Sequence, residues 1–164
     1  MAGRVTASPA TPATALLGDL GIVFTPHAYE HADTATNFGE EAAAVLGLDE
    51  DRVFKTLVVQ ADDALVVAVV PVSGKLDLKA LAMVVGAKKA ALADPAVAAR
   101  RTGYIVGGIS PMGQKTRLRT VIDETAELFD TVFVSGGRRG FDVELTPSDL
   151  ARAADATFSA IARS

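Results

Sequence analysis

The stretch "RVFKTLVVQADDALVVAVVPV", Arg52 to Val72, holds two apolar runs rich in β-branched residues on either side of Asp62-Asp63. Runs of this length bounded by turn residues read as strands, and so short a gap joins them as a hairpin. Strands joined directly, without a crossover helix, argue against a doubly wound fold. They favour a mixed, partly antiparallel sheet or barrel flanked by helices.

The segments around the hairpin agree. Thr11-Pro12 caps a first helix, "ATALLGDL", which ends at Gly21; "IVFTPHAY" follows as a strand entered through Pro26. Thr36 or Asn37 caps "FGEEAAAVLGL", whose Glu40 and Glu41 suit the positive end of a helix dipole. Downstream, "LDLKALAMVVG" has helical spacing and stops at Gly86, "KKAALA" is a short strand, and Asp94-Pro95 starts the helix "PAVAARRTG". "RLRTVID", "TVFVSGG" and "FDVEL" read as strands. The last segment, "TPSDLARAADATFSAIA", reads as one C-terminal helix with Thr146 as cap, Pro147 in the first turn and Asp149 third.

The chain has 164 residues, 49% apolar and 22% charged, which suits one well-buried domain and is short for two. Residues 11–164 are expected to form that domain and residues 1–10 a flexible tail. No apolar run approaches the roughly 20 residues of a membrane-spanning helix. "MAGRVTASPATPAT" has no apolar core behind Arg4, so it makes a poor signal peptide, and a cytoplasmic location is expected. The absence of cysteine excludes disulfides, thiolate metal sites and cysteine nucleophiles.

The net charge of −4 hides a segregation along the chain. Residues 1–63 carry −7, residues 75–119 carry +7 and residues 120–164 carry −4. The central block, from Lys75 to Arg119, is a candidate polyanion-facing surface; equally, its lysines and arginines can solvate helices that do not form one patch.

Four motifs invite a chemical reading. "YIVGGISPMGQKTRL", Tyr104 to Leu118, approaches a phosphate-binding loop, but Gln114 separates Gly113 from Lys115-Thr116, and the β-branched residues that follow make a poor helix start. What remains is a rigid Gly107-Gly108 platform whose amides can hold a carbonyl oxygen, or an ordinary turn. Lys55 sits among apolar neighbours, where a lysine must snorkel to water, meet an anion or shift its pKa. His27 and His31 in "HAYEH" lack the Glu position and the helix of a zinc-binding H-E-x-x-H, so they belong to a pocket wall or an exposed strand. In "SGGRRGFDVEL", Arg138 and Arg139 can meet phosphate or solvent, and Asp142 can accept from an ammonium group or simply end a turn.

Taken in order, "TNFGEE", "VFKTLVV", "PVSGKLDLKAL", "GAKKA", "TGYIVGGISPMGQKTRL", "VID" and "VSGGRRGFDVEL" resemble the YbaK (EbsC) family. These are freestanding Cys-tRNA(Pro) deacylases related to the editing domain of bacterial prolyl-tRNA synthetase. The resemblance runs from about Leu16 to Arg163, and the G-x-x-x-P element from Gly107 to Pro111 is its most specific part. It implies a single α/β (α+β) domain with a mixed, partly barrel-like central sheet flanked by helices. It implies hydrolysis of cysteine mischarged on tRNA(Pro), in which the substrate's own thiol attacks its ester, with no metal or cofactor. The partners implied are that tRNA and, transiently, prolyl-tRNA synthetase; none is a membrane.

Carried over by position, the resemblance implies catalytic roles for Lys55, Gly107 and Gly108, and substrate binding by Tyr29, Phe38, Thr56, Ser135 and Asp142. The Gly107 and Gly108 amides would hold the carbonyl oxygen, Lys55 would supply positive charge, and Asp142 would take the α-ammonium. Tyr29 and Phe38 would shape the wall, with Thr56 and Ser135 fixing orientation. Two alternatives accompany this reading: the same fold clearing another small residue such as alanine, or a non-catalytic tRNA-binding module.

Overall fold

The computed structural model describes residues 9–32 and 37–164. Most of the expected tail over residues 1–10, and Thr36 as a cap, lie outside the described residues. Asn37 caps the second helix, its side-chain oxygen accepting from the Glu40 N–H at 3.2 Å.

The hairpin predicted from Arg52–Val72 is the centre of the molecule. Strands β2 (Phe54–Ala61) and β3 (Ala64–Pro71) pair antiparallel along their whole length, from Phe54 opposite Pro71 to Ala61 opposite Ala64. Asp62 turns the corner at φ +51°, which aspartate tolerates, and its carboxylate accepts the Lys88 and Lys89 N–H groups. β3 is apolar throughout because both of its faces are covered. Val67 and Val69 join one core cluster, while Val66, Ala68 and Val70 join another.

Around this pair stands a five-stranded mixed sheet. β5 (Ala90–Leu92) is antiparallel to β2, β6 (Arg119–Asp123) is parallel to β3, and β9 (Ala156–Ser159) is parallel to β6. A second, antiparallel sheet has the order β1 (Thr25–Ala28), β8 (Phe141–Leu145), β7 (Val132–Arg138). A two-stranded ladder joins β4 (Lys75–Leu76) to β10 (Ala162–Arg163). The helices are α1 (Pro12–Asp19), α2 (Phe38–Leu46), α3 (Leu78–Val85), α4 (Pro95–Thr102) and α5 (Pro147–Ala154). The mixed α/β architecture is as expected, but the barrel-like closure is not. The described strands fall into sheets of five, three and two, and the largest has open edges at β5 and β9.

The main core lies between the two larger sheets. Val67 and Ile122 meet Val132, Val134, Val143 and Leu145, with Leu17 of α1 and Leu150 of α5 in the same cluster. Strand alternation then decides where the polar residues go. Since Val134 and Val143 face the core, Ser135 and Asp142 face the other way, and they stand opposite each other in the β7–β8 register. That outward face carries the candidate site.

The predicted C-terminal helix is only half right. Its cap, Thr146, accepts from the Asp149 N–H at 3.2 Å as the sequence suggests. The helix ends at Asp155, however, which adopts φ +52°. The rest of the segment becomes β9 and β10 because distant groups claim its backbone. β9 adds to β6, and the buried Asp123 carboxylate accepts the Ile161 and Ala162 N–H groups at 2.9 Å. Among the described residues no helix is long and apolar enough to cross a membrane.

Candidate active site

A cavity of about 350 Å³ opens beside the first half of β2. β5 pairs only with Val59–Ala61, so the edge of β2 from Phe54 to Leu57 has no strand ladder on that side. The wall is completed by the residue after β1, the start of α2, the start of α4, the loop after α4, and the outward face of β7 and β8. Of the residues singled out in the sequence, Tyr29, Phe38, Lys55, Thr56, Gly107, Ser135 and Asp142 all line it. They come from six separate parts of the chain.

Gly108 is the exception. It is absent from the cavity lining, and its N–H donates to the Ile105 carbonyl at 2.9 Å. That bond closes a turn over Ile105–Gly108 in which Gly107, third in the turn, adopts φ +88°. A type II turn needs such a left-handed value at that position, and glycine supplies it without strain. The amide of Gly108 is therefore committed to the turn. The amide of Gly107 makes no hydrogen bond among the described residues.

Two polar groups in the cavity wall make no side-chain hydrogen bond among the described residues. Thr56 Oγ1 is buried and unpaired. Asp142 is only 6% exposed, and its carboxyl makes no hydrogen bond or ion pair among the described residues. Burial pushes the Asp142 carboxyl up to about 7, an effect that His27, opposite it in the β1–β8 register, only partly offsets. Buried polar groups are almost always satisfied, so the unpaired Thr56 hydroxyl, with the nearly buried Asp142 carboxyl in the same wall, suits a polar occupant. Tyr29 belongs to the same electrostatic group. Burial, with the Asp142 and Glu41 carboxyls nearby, holds its phenol well above the ordinary tyrosine value.

The two histidines are occupied elsewhere. His27 Nε2 lies 2.9 Å from Glu144 Oε1 and His31 Nδ1 lies 2.7 Å from Glu41 Oε1. Neither lines the cavity. Ser135 Oγ accepts from the Gly137 N–H at 3.2 Å, and no imidazole is bonded to it. Among the described residues the site therefore has no nucleophile-and-base pair of the kind a covalent hydrolase uses. What it offers is a cation, a carboxyl, hydroxyls and a free backbone N–H around an apolar floor made by residues such as Val53, Leu57 and Ala98.

Sequence reasoning missed two contributions. The apolar residues of the β2 edge and the start of α4, Pro95 and Ala98, line the cavity as well, and no polar signal marks them. Arg139, a candidate for phosphate or solvent in the sequence, instead donates its Nε to the Val106 carbonyl at 2.9 Å. Members of the basic block also have local tasks. Arg117 pairs with Asp155 at 3.1 Å, and Arg119 donates to the Val84 and Val85 carbonyls at the end of α3. Arg100 and Arg101 lie in the last turn of α4, the helix whose first half lines the cavity.

The fold and the sequence both have counterparts among known proteins. Among solved structures, the fold is similar to a crystal structure of a hypothetical protein, with TM-score 0.83, 24% identity and coverage of 93% of this chain and all of that one. It is also similar to a crystal structure described as a candidate trans-editing enzyme for prolyl-tRNA synthetase, with TM-score 0.78, 23% identity and coverage of 96% and 100% of the two chains. In sequence it is 37% identical over 135 residues to EbsC of Enterococcus faecalis, named there as a candidate Cys-tRNA(Pro)/Cys-tRNA(Cys) deacylase; the match covers 81% of this chain and 82% of that protein. A family model described as the aminoacyl-tRNA editing domain matches residues 31–153, and with that match the chain belongs to the aminoacyl-tRNA editing domain family.

Proposed function

We propose that the protein is a trans-editing hydrolase that removes cysteine mischarged on tRNA(Pro), and that the cysteine thiol itself attacks the ester. The observation that carries the reading is the buried Asp142 carboxyl and the unpaired Thr56 hydroxyl lining one cavity, in which no activated nucleophile stands among the described residues. An aminoacyl ester presents what such a cavity lacks: an α-ammonium for Asp142 and a polar ester for Thr56, Lys55 and the Gly107 amide.

The chemistry balances without a reactive protein atom. The substrate sulfur bonds to the ester carbonyl carbon, the bond from that carbon to the ribose oxygen breaks, and the thiol proton ends on the ribose oxygen. The products are free tRNA and a cyclic thioester that water then opens. Holding the sulfur against the carbonyl makes the step intramolecular, an advantage of about 7–11 kcal/mol when the geometry is productive. The Lys55 ammonium and the Gly107 N–H stabilise the charge that develops on the carbonyl oxygen. Gly108 acts through the turn it closes, since its own N–H is already bonded.

A thiol is also the feature that separates cysteine from proline. A pocket sorting by volume gains only about 1–3 kcal/mol per methylene, too little for reliable rejection. Arg100, Arg101 and the lysines of the central block supply the charge that meets the tRNA backbone, and a transient complex with prolyl-tRNA synthetase supplies the choice of tRNA.

The test is deacylation of Cys-tRNA(Pro) and Pro-tRNA(Pro) by the purified protein, measured side by side. Rapid loss of cysteine with proline retained at the uncatalysed rate is the expected result. Binding without cleavage would make the protein an accessory module. Cleavage of Ala-tRNA(Pro) in place of the cysteine ester would make it an editor of another kind.

A further inference from the structure

The loop that carries Gly107 rests on a second glycine-rich turn, and one side chain ties the two together. β7 and β8 join through Arg139-Gly140, after a register shift between Ser135 and Arg138 and with Gly140 at φ +78°. Gly108 packs directly on this turn: a Cβ there would stand 2.8 Å from the Arg138 Cα and 2.9 Å from the Arg139 nitrogen. Arg139 then folds back over the loop. Its Nε donates to the Val106 carbonyl, one residue before Gly107, at 2.9 Å, and its guanidinium carbon lies 4.7 Å from the centroid of the Phe38 ring.

Phe38 closes the circuit. A Cβ on Gly107 would stand 2.7 Å from its ring, so ring and turn are already in contact. The ring also meets His31 at 5.4 Å between centroids, and His31 is held by Glu41. The Gly107 N–H thus sits in a turn held by mutual contacts of Arg139, Phe38 and the Ile105–Gly108 segment.

We infer that Arg139 is a positioning residue that aims the Gly107 amide into the cavity, and that it is not one of the cations that meet the tRNA backbone. The inference deepens the proposed function and rests on it for its kinetic consequences, but not for its structural one. A guanidinium stacks flat on an aromatic ring while donating in its own plane, and a lysine ammonium cannot do both. The two roles therefore predict opposite behaviour of Arg139→Lys.

The experiment uses the full chain and three forms: wild type, Arg139→Ala and Arg139→Lys. Amide exchange at Gly108, whose N–H closes the turn, is expected to speed up at least about tenfold in both variants, with global unfolding unchanged. With Cys-tRNA(Pro), kcat is expected to fall about tenfold in both variants while KM moves less than about twofold, because the amide matters in the transition state. The slope of log kcat/KM against log salt stays at its wild-type value. Wild-type Gly108 protection in Arg139→Ala, or full rescue by Arg139→Lys with a salt slope reduced by about one in Arg139→Ala, would overturn the inference and return Arg139 to the phosphate-binding set. Should wild type fail to cleave the ester, the proposed function falls, while the exchange measurement still decides whether Arg139 holds the turn.

Discussion

Lys55→Ala is expected to lower kcat/KM for Cys-tRNA(Pro) by about 10²–10³-fold, the range seen when a single group that stabilises an oxyanion is removed. The melting temperature should hardly change. Lys55 stands in β2 opposite Val70, and it forms no ion pair among the described residues whose loss would weaken the fold. Its ammonium belongs to the cavity wall, where Asp142 carries the only carboxyl among the described residues. The loss should fall on kcat if the cation meets the developing oxyanion, and on KM with a reduced salt slope if it meets the terminal phosphate. Arg in its place keeps the charge but spreads it over a larger planar fork, so Lys55→Arg should recover little of the kcat. An unchanged rate in Lys55→Ala would remove the lysine from the mechanism.

Asp142→Asn is expected to have effects of opposite sign on activity and stability. The carboxyl titrates near 7 in the fold because burial disfavours its charged form, against an ordinary value of 3.8. A raised carboxyl pKa means that the folded state binds a proton more readily than the unfolded chain. Stability is therefore greatest below about pH 4, falls as pH rises toward 7 and stays lower above it. Asparagine resembles the neutral acid and escapes that loss, so the variant should be more stable than wild type at pH 8 by about 2–4 kcal/mol and nearly equal at pH 4. Urea unfolding at the two pH values measures the difference. Activity should fall about 10²-fold, since an amide cannot match a carboxylate as partner of an α-ammonium. In the wild type the same titration should lower kcat/KM as pH falls below 7, and the variant should lose that limb. Equal stability of the two forms at both pH values would show that Asp142 is not charged in a buried site.

These expectations rest on parts of the molecule that were unequally legible in the sequence. Local rules placed the helix starts, because a cap and its first turn lie within a few residues, as with Asn37 and Glu40 or Thr146 and Asp149. The β2–β3 hairpin was legible for the same reason. The C-terminal strands were not: no glycine or proline marks the end of the helix before "ATFSAIA", and what halts that helix is aspartate in a left-handed conformation. Its new partners, β6 and the Asp123 carboxylate, lie more than 30 residues away. A similar divide runs through the site. The alternation of β7 and β8 sends Ser135 and Asp142 to one face, which a strand pattern predicts. That the Gly108 amide would be consumed by its own turn depends on the fold of the loop after α4, and two adjacent glycines do not reveal which of them is free.

The central claim is that the attacking sulfur arrives with the substrate and that the protein supplies only placement and charge. Single-turnover deacylation of Cys-tRNA(Pro) against the same ester with its sulfur methylated tests it most directly. The account predicts cleavage of the free thiol and, for the methylated form, a rate that does not exceed the uncatalysed one. Equal rates for the two esters would contradict it, because water or a protein group would then be the nucleophile.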